Sequence, residues 1–85
     1  MITNNTIKQW MKERDAVVKT YDLDLFKTFY RKWTKKGMYR MPLPSDEVIE
    51  ISMRKMVCNM KSSTDEQKEE AMDWLEQHGS SPNMF

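Results

Sequence analysis

Four stretches of helical period, separated by polar capping residues and by glycine or proline, predict an all-α fold in which no strand is required. The expected architecture is a compact single domain of about four helices, a small orthogonal bundle, spanning residues 1–85. The helices are expected at 6–20, 22–36, 45–61 and 64–78, with 80–85 as a flexible tail on which Phe85 docks back.

The first helix follows from Ile7, Trp10, Met11, Val17, Val18 and Tyr21, which recur on one stripe, with Asn5 or Thr6 as its N-cap. Arg14 interrupts that stripe. Its stem is expected to pack while the guanidinium reaches water and pairs with an acid; the competing reading is an exposed anchor at a contact surface.

The second helix is the most strongly divided. Asp22 or Asp24 caps it, and Leu25, Phe26, Phe29, Tyr30 and Trp33 form one thick apolar stripe. Lys27, Arg31 and Lys35 fall on the other side at i, i+4 and i+8, with Lys32 beside them. Gly37 stops the helix, and Lys35 and Lys36 complement the negative end of its dipole. Met38 to Pro44 then reads as an extended connector, since Pro42 and Pro44 disfavour helix in the residues before them.

Ser45 caps the third helix, with Asp46 and Glu47 in its first turn. Val48, Ile49, Met53, Met56, Val57 and Met60 occupy one face, while Ile51 and Cys58 lie opposite, which predicts a central helix contacted from two sides. Thr64-Asp65-Glu66-Gln67 is a capping box opening the fourth helix. That helix buries Ala71, Met72 and Leu75 and presents Asp65, Glu66, Glu69, Asp73 and Glu76 as an acidic face, and Gly79 ends it. The expected core is Trp10, Val17, Phe26, Phe29, Trp33, Val48, Ile49, Met53, Met56, Val57, Met72 and Leu75.

Composition excludes several classes of function. One cysteine rules out an internal disulfide framework and a cysteine-rich zinc site. Asp22-x-Asp24 lacks the remaining ligands of a calcium loop, so neither a metal nor a cofactor is expected. With one histidine (His78), one cysteine (Cys58) and two glycines, the chain offers no phosphate loop, zinc-protease helix or nucleophile elbow, and an enzyme is not expected. His78 precedes Gly79, where an imidazole can meet the last carbonyls of a helix, and Cys58 reads as a small packed residue. The first residues lack a charged segment followed by an apolar one, and no apolar run approaches the ~18–20 residues that cross a bilayer. A reducing cytoplasm is the expected setting.

Charge is where the sequence points to a partner. The net charge is +1, but residues 1–43 hold ten Lys/Arg against four Asp/Glu, a net +6, and residues 44–85 hold four against nine, a net −5. The leading expectation is a small non-enzymatic protein-interaction module. It would use a basic face of Lys27, Arg31, Lys32, Lys35 and Arg40 and an acidic face of Glu66, Glu69, Asp73 and Glu76. The partner is another protein or a second copy as a homodimer. Nucleic-acid binding through the basic face, with Tyr39 stacking on a base, is the alternative. Against it, the aromatics of the second helix lie opposite its cations, the fourth helix is too acidic to read DNA, and the pI near 7.8 is low. A membrane-surface role for the second helix is weaker still, because a small domain needs those aromatics for its core.

Overall fold

In the computed structural model, residues 3–81 are described and form four helices: α1 (Asn4–Val18), α2 (Leu23–Lys35), α3 (Asp46–Asn59) and α4 (Asp65–Gln77). No strand occurs among the described residues, so the protein is a small all-α domain. The expectation for residues 82–85, Phe85 included, lies outside them. No helix among the described residues is long and apolar enough to cross a membrane.

Three of the four N-caps are side chains that the sequence singles out. Asp22 accepts from the Leu25 amide at 3.1 Å, Ser45 from Val48, and Thr64 from Gln67 while the Gln67 side chain returns to the Thr64 amide. The cap of α1 is Thr3 and not Asn5 or Thr6, because the Thr3 hydroxyl reaches the Thr6 amide one turn earlier. The other end of α1 also comes two residues early. Thr20 Oγ1 donates to the Val17 carbonyl at 2.6 Å and accepts from the Asp22 amide, and Tyr21 takes φ 54°. A threonine that bonds its own backbone in this way draws the chain out of the helix. Gly37 and Gly79 close α2 and α4 with φ 89° and 70°; these are left-handed values that glycine adopts without steric cost.

The core gathers on α3. Ile49, Met53, Val57 and Met60 line up at i, i+4, i+8 and i+11 and meet Val18, Phe26, Tyr30 and Ala71. α3 touches all three other helices, whereas α4 touches no helix except α3. That asymmetry explains where the expected core fails. α4 needs only the narrow stripe of Ala71 and Leu75 to bind one neighbour, and Met72, one residue off that stripe, stays 43% exposed. Val48 likewise lies one residue off the Ile49 stripe and is 48% exposed; Leu25, on the apolar stripe of α2 but not in the expected core, is exposed at the outer start of that helix. Trp10, Val17 and Met56 are half-buried, while Phe26, Phe29 and Trp33 are buried as expected, Trp33 completely.

Two aromatic assemblies tie the elements together. The Tyr39 ring stacks on Tyr30 at 4.1 Å, takes edges from Trp10 and Phe29, and its hydroxyl accepts from Trp10 Nε1. Burial raises the Tyr39 pKa above the usual phenol value, partly opposed by the Trp10 hydrogen bond. On the other side, the Arg54 guanidinium of α3 lies between Tyr21 and Trp74, 4.0 and 4.2 Å from their centroids, and Trp74 stacks in turn on His78 at 3.8 Å. Cation–π contact with two rings offsets an Arg54 Nη1 that is buried without a hydrogen-bond partner among the described residues.

Candidate functional site

The exposed part of α2 and the connector that follows it lie side by side at the surface. Tyr30 fixes the connector by donating its hydroxyl to the Met41 carbonyl at 2.8 Å, and Tyr39 holds the segment against the aromatic cluster. The connector therefore runs beside α2 and leaves a groove of about 310 Å³ between them, walled by Tyr30, Arg31, Thr34 and Lys35 on one side and by Met41, Pro42 and Leu43 on the other. Its connector wall is apolar. Both of its cations belong to the α2 wall, one turn apart. Met41, at 75%, is the most exposed large apolar residue among the described residues.

The five cations of the expected basic face divide into two groups. Lys27 is half-buried and pairs with Asp46 at the start of α3, Nζ to Oδ1 2.7 Å. Lys32 pairs with Glu13 of α1 at 2.5 Å and lies over the Trp33 indole at 5.5 Å, with Lys36 over the same ring at 4.9 Å. These lysines knit α2 to its neighbours. Arg31, Lys35 and Arg40 are exposed and have no acidic partner among the described residues.

The acidic face is wholly unpaired by comparison. Glu66, Glu69, Asp73 and Glu76 are exposed on α4 and enter no ion pair among the described residues. Since α2 and α4 make no contact, the two faces do not neutralise one another within the molecule. Met72 lies on the same outer side as the acids, with Glu69 at i−3, Asp73 at i+1 and Glu76 at i+4.

The residues considered for chemistry are engaged structurally. His78 Nδ1 is 2.8 Å from the Trp74 carbonyl at the end of α4, and its ring is taken up in the Trp74 stack. Cys58 Sγ lies 3.8 Å from the Lys68 carbonyl, and burial pushes its thiol pKa up, which disfavours the reactive thiolate. Arg14 pairs with Asp15 at 3.0 Å and lies over Trp10, so its stem packs and its head finds an acid. No cluster of three His, Cys, Asp or Glu side chains that could hold a metal ion occurs among the described residues. Sequence reading misses both the groove and the Arg54 stack. Each depends on residues brought together from separate elements, and only the aromatic content of α2 and the proline pair hint at the former.

No protein-family model, curated protein or solved structure matches the chain.

Proposed function

We propose that this protein is a non-enzymatic protein-interaction module, cytoplasmic in setting, that engages its partner through the exposed charges of α2 and α4. The observation that carries this reading is the pair of opposed faces left uncompensated. Arg31, Lys35 and Arg40 have no internal acid, Glu66, Glu69, Asp73 and Glu76 have no internal base, and their helices do not touch. Exposed charges contribute little to the stability of their own fold, and complementary ones steer and select a partner. The apolar groove beside Arg31 and Lys35 adds an area that a partner side chain can desolvate.

Nucleic-acid binding is the second reading, favoured by the same three free cations. Its expected stacking platform is taken, since Tyr39 is already stacked on Tyr30 and bonded to Trp10. The test is affinity capture from the native host with the wild type, with Arg31→Glu/Lys35→Glu and with Glu69→Lys/Asp73→Lys. Loss of a captured protein in either reversed variant supports the charged faces, and capture unchanged in both refutes them. An NMR titration with a mixed DNA and RNA oligonucleotide separates the second reading. Shifts at Arg31, Lys35 and Arg40 that fade steeply with salt would put nucleic acid first.

A further inference from the structure

We propose that the groove between α2 and the 41–43 connector receives the acidic face of α4 from a second copy of this chain, with Met72 entering the groove. This deepens the charged-face reading above and rests on it.

The two surfaces match in chemistry and in layout. The groove offers an apolar lining from Tyr30, Met41 and Leu43, and a single charged wall made by Arg31 and Lys35. α4 offers an exposed methionine, 43% accessible, with its acids all to one side. Arg31 and Lys35 are four residues apart, as are Glu69 and Asp73, so each pair spans about 6 Å along its helix axis. A helix laid along the groove can therefore meet both cations with both carboxylates while Met72 fills the space beside them. Methionine, unbranched and polarizable, adapts to an irregular apolar cleft of this kind.

The occupant is a second copy because the same chain carries both halves and cannot join them internally. α2 and α4 make no contact, and the groove and the acidic face both lie open. The near-neutral total of +1, built from a positive and a negative half, means that two copies approach without net repulsion. The contact joins unlike surfaces, which makes it separable by mutation.

The experiment is sedimentation velocity on the full chain over a concentration series in about 25 mM and roughly 0.3 M salt, conditions that differ severalfold in screening length. The wild type is expected to self-associate, and to do so at least about fivefold more weakly in the higher salt. Arg31→Gln/Lys35→Gln and Glu69→Gln/Asp73→Asn should each remain monomeric with unchanged circular dichroism. An equal mixture of the two should recover a one-to-one pair, since one variant keeps the acidic face and the other keeps the groove. Met72→Asp should likewise remain monomeric. A wild type that stays monomeric up to millimolar concentration, or a mixture no more associated than its components, overturns the proposal. If affinity capture of a different protein still depends on Arg31 and Lys35, only self-association has failed. If it does not, the charged-face reading has failed with it.

Discussion

Replacing Trp33 with alanine removes the largest fully buried side chain of the molecule. Its indole has no exposure, and Lys32 and Lys36 close over it from the solvent side. Large-to-small changes of a buried tryptophan cost about 3–5 kcal/mol, lost transfer energy and residual cavity together. At about 2.1 cal/mol/K per residue, a chain of 85 residues has an unfolding entropy of about 0.18 kcal/mol/K, so the loss lowers Tm by roughly 20 °C. For a domain near the low end of the usual ~5–15 kcal/mol, that leaves a large unfolded fraction at 37 °C. Trp33→Phe separates the ring from its polar atom. Nε1 is buried without a hydrogen-bond partner among the described residues, and an orphaned donor costs about 1–3 kcal/mol, which phenylalanine recovers. The smaller ring leaves a void worth about 1–2 kcal/mol, so the two effects nearly cancel and the net change should stay within about 1 kcal/mol. Thermal and urea melts followed by far-ultraviolet circular dichroism measure both variants without relying on tryptophan fluorescence. Trp33→Ala melting within about 5 °C of wild type would refute the reasoning. So would a Trp33→Phe loss as large as that of Trp33→Ala.

Three smaller changes test the local structure. Thr64→Ala deletes one half of the capping box and should cost about 1 kcal/mol, with faster amide exchange at Gln67 as its local signature. Gly79→Ala places a methyl group in open space at φ 70°, so it should cost about 1–2 kcal/mol from backbone strain alone, read as a lower urea midpoint. The phenols of Tyr21 and Tyr39 have pKa values raised chiefly by burial, so the folded state holds these protons more tightly than the unfolded chain. Stability from this source is complete below the ordinary value of 10.0 and is lost as pH rises through the raised values; melts across that range should fall less steeply in Tyr39→Phe.

What could be read in advance was whatever a short segment decides for itself. Asp22, Ser45 and Thr64 cap helices because a hydroxyl or carboxylate three residues ahead of an amide reaches it in any context, and Gly37 and Gly79 stop them for an equally local reason. Periodicity identifies a buried face but not its width, which depends on how many neighbours cover it. Val48 and Met72 are thus assigned to the core by period and lie outside it, and Leu25 leaves the apolar stripe of α2 for the surface. The same limit applies to the candidate site. That Lys27 and Lys32 belong to a basic stripe is visible in the sequence, but that Asp46 and Glu13 claim them while leaving Arg31 and Lys35 free is a tertiary fact. Tyr39 looked available for stacking because nothing nearby in sequence announces Tyr30 and Trp10 as its partners.

The lone attachment of α4 also bears on how the molecule opens. Among the described residues α3 is the one helix packed on α4, with the Tyr21–Arg54–Trp74 stack as a further tie to the α1–α2 turn. Yet the α3–α4 packing is the most extensive between any two helices here, and Ala71 belongs to the shared core, so the α3–α4 pair is the unit expected to stay together while α1 and α2, more sparsely joined, loosen at a lower free energy. Amides of α1 and α2 should then exchange with deuterium through a sub-global opening ahead of those in the α3–α4 pair. Arg54, set between Tyr21 and Trp74, is then the latch that holds the α1–α2 turn against the α3–α4 pair.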